Sequence, residues 1–343
     1  MPLPPSSLVV DLHTHGTGFL PRPVAAAYRA ATRGAMPADV GFGELAAAGV
    51  DAVVAKAVGD PIVTAFHLPR SPWRSVLHQL EAIRRQAAAG GARLAGSVGE
   101  VRAAHGEARP AVVLGVEGGD VLRGHPERVE QLHLLGVRVV GLVHYVHNGL
   151  GTVGLPWQEW VPLPIPTRRP TVRGLSPEGA EVVDALVTTG IVVDLAHADR
   201  ATTLQACERA GALGAAVVSS HAGARAVSDF DRFHDDDELR AIAATGGLVG
   251  LWPFSYGGQG VADVADWCRH ATYLAELIGP DHIAIGTDMN GVSGLMDGYR
   301  GEHDLLPVLA RALRTTAGFD EADVQAVLGG NALRVLEQAA RPG

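Results

Sequence analysis

Eight short apolar runs, rich in β-branched residues, recur along the chain and limit its fold more than any other feature. They are Leu8–Leu12, Asp51–Ala55, Ala111–Val116, Val137–Val143, Ile191–Leu195, Ala215–Ser219, Leu248–Trp252 and Ile283–Gly286. Their hydrophobicity barely alternates, which is typical of strands covered on both faces. Helical patterns separate most of the runs, and this alternation favours a parallel sheet. Eight such units predict a closed (β/α)₈ TIM barrel rather than an open doubly wound sheet.

The helical patterns between the runs have recognisable starts. Ser71 and Ser176 are candidate N-caps, and each is followed by a proline in the first turn. The predicted helices are Ser71–Ala88, Glu178–Thr188, Ala201–Ala210, Asp236–Ala244 and Asp263–Leu277, with closing helices Glu302–Gly318 and Asp320–Gln338.

No linker divides the chain, so we predict one barrel domain over residues 1–343, with closing helices in 302–339. Two irregular insertions, 16–43 and 149–173, follow the first and fourth strands. The first contains a helix-like stretch, Val24–Thr32, and the second carries Trp157 and Trp160. Long loops on this face of a barrel usually shape the substrate pocket, although the second could be a surface excursion packed by its own tryptophans.

Charge and composition exclude several classes of partner. The formal net charge of −9 and the lack of a basic run argue against nucleic acid and against an anionic membrane surface. Neither a signal peptide nor a run of about 18 apolar residues is recognisable, so we expect a cytosolic protein. The only two cysteines, Cys207 and Cys268, are expected to be buried thiols rather than a disulfide.

A His-x-His pair, His13 and His15, ends the first run. Side chains at alternate positions of a strand point the same way, so both imidazoles can bind one metal. Asp11 precedes the pair, and we interpret it as a supporting residue.

Five further candidates lie at the ends of later runs: Glu117, His144, His197, His221 and Asp288. Glu117 precedes two glycines, and its two oxygens could bridge metals about 3.5–4 Å apart, or it could form a plain salt bridge. A barrel places the ends of adjacent strands side by side, which favours His197 and His221 as paired ligands over packed core histidines. Asp288 could hold a water and take its proton, or cap a helix. His144 could be a ligand, an oxyanion-stabilising imidazole or a packed side chain.

Three basic residues also lie at or after the ends of these runs. Arg225 and Arg232 follow the sixth run, and either could contact a substrate carboxylate or remain structural. Lys56, the only lysine, ends the second run. We expect it to be structural rather than a carboxylated metal bridge, because Glu117 already offers a bridge.

Taken in order, the motifs around these residues resemble the membrane (renal) dipeptidase family, the M19 peptidases of the amidohydrolase superfamily. The resemblance extends over nearly the whole chain and is carried by Val-Asp-Leu-His-Thr-His, Gly-Val-Glu-Gly-Gly, Leu-Val-His-Tyr-Val-His-Asn, Gly-Leu-Ser-Pro-Glu-Gly, Val-Asp-Leu-Ala-His, Val-Val-Ser-Ser-His-Ala-Gly-Ala-Arg, Ile-Gly-Thr-Asp-Met-Asn-Gly and Gly-Gly-Asn-Ala-Leu-Arg-Val-Leu. It implies two zinc ions per chain that are bridged by Glu117 and a hydroxide. It places His13 and His15 on the first ion and His197 and His221 on the second.

The resemblance also implies hydrolysis of L-L or L-D dipeptides by a homodimer. Asp288 would serve the bridging water and the substrate amine, His144 would polarise the scissile carbonyl, and Arg232 would receive the substrate carboxylate. Alternatives are an N-acyl-amino-acid deacylase or lactonase on the same metals, or a non-hydrolytic or binding relative. Two residues depart from the family pattern: His15 and Asn290 stand where acids are usual. His15 removes one negative charge from the first site.

Overall fold

The fold was examined in a computed structural model of the chain, which describes residues 7–18, 39–65, 71–156, 173–291 and 294–340 and a few isolated positions between 20 and 30. Most of both predicted insertions therefore lies outside the described residues. This applies to most of the helix-like stretch 24–32 and to Trp157 and Trp160. The division into one domain with two insertions stays a prediction.

Eight parallel strands form a closed barrel, which confirms the predicted TIM-barrel fold. The strands are β1 (Val10–His15), β2 (Ala52–Val58), β3 (Ala111–Glu117), β4 (Val137–Gly141), β5 (Val192–Asp194), β6 (Val217–Ala222), β7 (Leu248–Leu251) and β8 (Ile283–Ile285). They pair in chain order, and β8 closes the barrel against β1. A short strand, Arg93–Leu94, adds to the edge of β3, and Ser255–Tyr256 pairs with Gln259–Gly260 in a hairpin.

The barrel strands are almost completely buried, in agreement with their continuous hydrophobicity. Every residue of β1, β2 and β3 is buried. Strands β2 and β3 pair in register from Ala52 opposite Ala111 to Val58 opposite Glu117. Because all eight strands are parallel, their carboxyl ends form one rim, and residues that end different strands meet there.

Helices cover the outside of the barrel close to the predicted positions. Their bounds are Leu45–Ala48, Pro61–Thr64, Pro72–Ala89, Val98–Gly106, Glu127–Leu134, Pro177–Thr189, Arg200–Ala212, Asp236–Ala244 and Val264–Ile278. Ser176 caps its helix by accepting a hydrogen bond from the Gly179 amide at 2.9 Å. Ser71 occupies the N-cap position of its helix, as predicted, but its side chain makes no capping hydrogen bond.

Each of the two closing helices contains a π-helical segment. The first consists of a 3₁₀ turn, Glu302–Asp304, a π-helix, Leu305–Ala310, and an α-helix, Arg311–Thr315. Pro307 lies within the π-helix and lacks the amide hydrogen that a regular turn needs. The second consists of Glu321–Gln325, a π-helix over Ala326–Gly330, and Asn331–Ala339.

Two further expectations concern the described residues. Cys207 and Cys268 are free and buried, as predicted. Among the described helices, none is long and apolar enough to cross a membrane.

Two glycines allow the strand ends to approach closely inside the barrel. A Cβ atom on Gly250 would lie 2.0 Å from the Ser220 carbonyl oxygen, and one on Gly286 would lie 1.7 Å from the same atom. Both distances are far below contact distance, so only glycine fits at either position. This close packing fixes the end of β6, where Ser220 precedes His221.

We expect Gly286→Ala to lower the free energy of unfolding by at least about 1–3 kcal/mol, because the added methyl group must displace the β6 backbone. Urea denaturation measures the change. Gly106→Ala is the matched control, since its Cβ atom would meet nothing within 4 Å and the residue ends a helix. The control should be neutral or stabilising by up to about 1 kcal/mol. Equal stability of the two variants would contradict the close approach at Ser220.

Candidate active site

Seven side chains named from the sequence meet at the carboxyl rim of the barrel. They are His13, His15, Glu117, His144, His197, His221 and Asp288, and all are between 0 and 8% exposed. His13 and His15 lie on β1, Glu117 ends β3 and His221 lies on β6. The other three follow β4, β5 and β8 within three residues.

Glu117 lies at the centre of this group. Its carboxylate oxygens are 3.1–3.8 Å from the Nε2 atoms of five histidines: His13, His15, His144, His197 and His221. Its Oε1 atom is buried and accepts no hydrogen bond from the described residues. Burying a carboxylate with an unsatisfied oxygen is costly unless positive charge compensates for it.

The outer nitrogens of two imidazoles show which atoms face the centre. His15 Nδ1 is 3.0 Å from the Lys56 carbonyl oxygen, which can only accept, so Nδ1 carries the hydrogen. His13 Nδ1 is 2.8 Å from the Ser220 hydroxyl. The two Nε2 atoms are 3.3 Å apart, and a neutral His15 ring turns its Nε2 lone pair towards His13 and Glu117.

A second close pair is formed by His197 and His221, whose Nε2 atoms are 3.1 Å apart. Converging ring nitrogens and buried carboxylate oxygens form a set of ligands that suits a borderline cation such as zinc. The residues present therefore fit a metal centre.

Potential ligand atoms form three overlapping groups, and within each the atoms lie within 4.8 Å of one another. The groups are His13 with His15 and Asp288, His13 with Glu117 and His221, and Glu117 with His144 and His197. Glu117 and His13 each belong to two of these groups. Asp288 Oδ1 is 3.3 Å from His15 Nε2, so its carboxylate could bind the first metal as well as serve a water.

Charge and burial set the protonation of the ligands. Burial would raise the pKa of Glu117, but the neighbouring imidazoles hold it well below its usual range. Burial lowers the pKa values of His197 and His221 well below normal, which favours neutral ligands. Burial also opposes protonation of His15, but hydrogen bonds to Asp288 and Glu117 raise its pKa to about 10. Metal binding at His15 must therefore displace a proton.

Backbone strain is concentrated at the same rim. Four non-glycine residues of the described chain have positive φ angles, and three of them belong to this region: His197 at 70°, Asp288 at 53° and Asn290 at 68°. Such conformations cost free energy and often mark functional sites.

Asn290 explains one departure from the family pattern. Its Nδ2 atom donates hydrogen bonds to the carbonyl oxygens of His15 at 2.8 Å and Val40 at 3.0 Å, and its Oδ1 atom accepts one from the Val40 amide at 2.8 Å. A carboxylate cannot make the two donated bonds, so the amide links the 39–44 segment to β1.

Asp60, which sequence reasoning missed, holds His144. The His144 Nδ1 atom is 2.5 Å from Asp60 Oδ2, while His144 Nε2 faces Glu117 at 3.4 Å. Burial lowers the pKa of His144, but Glu117 and Asp60 outweigh it and raise the value above normal. A protonated His144 donates through Nδ1 to Asp60 and presents a second N–H to the site. An Asp-Pro pair directly after β2 was the available signal, because Asp60 also caps the helix that starts at Pro61.

The two candidate arginines differ in position. Arg232 is buried, its Nη2 atom is 3.0 Å from His221 Nε2, and its guanidinium lies 5.2 Å from the centre of the Trp252 ring. Arg225 instead pairs with Asp229 and Asp231 away from the cluster. Of the two, Arg232 is the one that contacts a residue of the cluster.

A parallel barrel with imidazole and carboxylate ligands at its carboxyl rim is the architecture of metal-dependent hydrolases. The chain matches the model of the membrane dipeptidase family (peptidase family M19) over residues 18–342. It belongs to this family, which confirms the resemblance found in its motifs.

Individual relatives agree with this assignment. Dipeptidase aclJ of Aspergillus oryzae is 32% identical over 240 residues, which cover 68% of this chain and 52% of the relative. Dipeptidase 3 of Homo sapiens is 30% identical over 231 residues, which cover 66% of this chain and 45% of the relative. The matches thus span about half the length of these curated relatives.

Solved structures confirm the fold. A metallopeptidase from Rhodobacter sphaeroides, liganded with a phosphinate mimic of the dipeptide L-Ala-D-Ala, has a TM-score of 0.77 and 22% identity, covering 97% of this chain and 100% of its own. The probable dipeptidase PvdM from Pseudomonas aeruginosa has a TM-score of 0.77 and 19% identity, covering 98% and 96%.

We expect Glu117→Gln to lose at least one bound metal ion per chain, because the substitution keeps the shape but removes the charge between the ligand groups. Metal content after dialysis, measured by mass spectrometry of the elements, tests this expectation. Glu130→Gln, on an exposed helix position, should retain the wild-type content. Full metal content in Glu117→Gln would contradict the central position of this carboxylate.

Proposed function

We propose that this chain is a dipeptidase that binds two zinc ions at the carboxyl rim of its barrel. The observation that carries the proposal is the buried Glu117 carboxylate between five imidazole Nε2 atoms. In this assignment His13, His15 and Asp288 hold the first ion, and His197 and His221 hold the second. Glu117 would lie between the two sets of ligands and could bind both ions. Bound zinc would supply Lewis acidity and lower the pKa of a water towards neutrality.

Residues of the chain would then transfer the proton of the attacking water and polarise the scissile carbonyl group. Asp288 is the acid–base candidate, because its carboxylate adjoins His13 and His15 at 3.7 and 3.3 Å. It would accept a proton from the attacking water and return it to the leaving amine. His144 would donate its Nε2 hydrogen to the oxygen of the scissile carbonyl, with Asp60 holding the opposite side of the ring.

Arg232 would bind the substrate carboxylate and so select small substrates with a free C-terminus. Its guanidinium is buried, borders the metal-ligand cluster and rests against Trp252, which in turn stacks on Phe254 at 4.1 Å. An arginine fixed in this way can bind a carboxylate through two parallel hydrogen bonds. The carboxylate of Asp288 would attract the substrate amine. Both charged ends of a dipeptide would then have partners of opposite charge.

We expect the zinc-loaded protein to cleave free L-L or L-D dipeptides and not their N-acetylated counterparts. The reason is that the Asp288 carboxylate favours a positively charged amine. Mass spectrometry of a mixed panel of these four classes measures turnover and stereochemical preference together. The zinc-free protein is the control and should be inactive.

Other outcomes of the same panel would overturn the proposal. Cleavage of only the acylated members would indicate an N-acyl-amino-acid deacylase. Cleavage of none, with zinc fully bound, would indicate a lactonase or a non-hydrolytic relative. A cytosolic location and a homodimer stay predictions from the sequence.

We expect Arg232→Ala to raise KM for free dipeptides by about 10- to 100-fold, because it removes a charged hydrogen-bond donor for the substrate carboxylate. Dipeptide amides, which lack that carboxylate, should lose much less. Arg225→Ala is the matched control and should leave KM unchanged. Zinc content must be measured in both variants, since Arg232 also contacts His221. An unchanged KM at full zinc content would remove this role from Arg232.

A further inference from the structure

The tetrapeptide Val-Val-Asp-Leu occurs twice, at residues 9–12 and 192–195, and the two copies lie on strands β1 and β5. Both aspartates are buried, at 0 and 1% exposure. Asp11 Oδ1 accepts the backbone amides of His13 at 3.1 Å and Thr287 at 2.9 Å. Its Oδ2 atom accepts the Thr287 hydroxyl at 2.6 Å. Asp11 thus joins the end of β1 to the residue that precedes Asp288.

Asp194 repeats this arrangement on β5. Its Oδ1 atom accepts the backbone amides of Ala196 at 3.0 Å and Ser220 at 2.9 Å, and its Oδ2 atom accepts the Ser220 hydroxyl at 2.6 Å. Ser220 precedes His221, just as Thr287 precedes Asp288. Each aspartate therefore fixes a neighbouring strand end at the position before a candidate ligand.

The second copy has an additional cation. Lys56 pairs with Asp194 Oδ2 and also donates to Ser220 Oγ at 3.2 Å, and all three side chains are at most 1% exposed. Lys56 is the only lysine of the chain, and all of its other permanently cationic side chains are arginines. Its ammonium group is engaged by Asp194 and Ser220, in agreement with the structural role predicted from the sequence.

The hydrogens available on each group determine which atoms of this network donate and which accept. The Ser220 hydroxyl has one hydrogen, and the carboxylate of Asp194 can only accept it, while the Lys56 ammonium can only donate. Ser220 Oγ must then act as an acceptor for His13 Nδ1, its nearer ring neighbour at 2.8 Å; His221 Nδ1 is 3.2 Å away. His13 consequently carries its hydrogen on Nδ1 and turns the Nε2 lone pair towards Glu117.

We propose that Lys56, Asp194 and Ser220 form a positioning unit that fixes the tautomer of His13 so that its Nε2 atom can bind metal. The inference deepens the proposed function, since it rests on the metal centre assigned there. None of the three residues needs to touch substrate. They act through His13, in the way that outer hydrogen bonds orient metal-binding histidines in general.

The variant Asp194→Asn reverses the direction of this network. The two backbone amides at the Oδ1 position require an acceptor, so the new side-chain amide must place its NH₂ group towards Ser220. Ser220 would then accept from that group, and we expect it to donate its hydrogen to His13 Nδ1, which is nearer at 2.8 Å than His221 Nδ1 at 3.2 Å. The His13 hydrogen would move to Nε2, and the lone pair towards the metal site would be lost.

The double variant Lys56→Met/Asp194→Asn tests this reversal without leaving a buried charge unpaired. We expect its zinc affinity to fall by about 10- to 100-fold, measured by competition with a chelator. Asp11→Asn is the matched control in the other copy. Its hydroxyl partner, Thr287, contacts no imidazole among the described residues, so the tautomer of His13 should not change.

Ring ¹⁵N spectra of the histidine-labelled full chain provide a readout that a general loss of stability would not produce. The His13 signals can be identified by their absence in His13→Gln. We expect Nδ1–H in the wild type and in Asp11→Asn, and Nε2–H in the double variant. The same tautomer in all three proteins, or unchanged zinc affinity in the folded double variant, would overturn the inference. Neither measurement needs a substrate, so failure of dipeptide cleavage would be recognised separately.

Discussion

The buried carboxylate of Glu117 is the constraint on which the rest of the site depends. A negative charge with 2% exposure and an Oε1 atom without a hydrogen-bond donor requires positive charge nearby. Ring nitrogens from β1 and β6 and from the loops after β4 and β5 surround it at 3.1–3.8 Å. A bound metal would supply the positive charge that the carboxylate requires, and the residues present fit a metal centre.

The fold supplies this geometry through close packing beneath the rim. Glycines at 250 and 286 let three strand ends converge on the Ser220 carbonyl oxygen, and the two buried aspartates then tie strand ends together in pairs. Asp60 does the same for His144 from the end of β2. The candidate metal ligands are thus supported by buried polar groups of the barrel, and the positive φ angles of His197 and Asp288 mark backbone strain at the same rim.

Sequence reasoning predicted the barrel strands and the residues at their ends, because each signal is local: an apolar run followed by a histidine or an acid. It could not predict the partners that support them. The contact between Lys56 and Asp194 joins residues 138 positions apart, and the contact between His144 and Asp60 joins residues 84 apart. Nothing near Asp194 in the sequence indicates a cation. Ser71 lies at its predicted N-cap position, but its residue type did not reveal that the side chain makes no capping hydrogen bond. The amide contacts of Asn290 likewise became interpretable only when Val40 and His15 were seen beside it.

The most direct test is a crystal structure of the zinc-loaded protein, with diffraction recorded on both sides of the zinc absorption edge. The account predicts two anomalous peaks about 3.5–4 Å apart, one on each side of the Glu117 carboxylate. One peak should adjoin His13, His15 and Asp288, and the other His197 and His221. A single peak, or two peaks that do not share Glu117, would contradict the central claim.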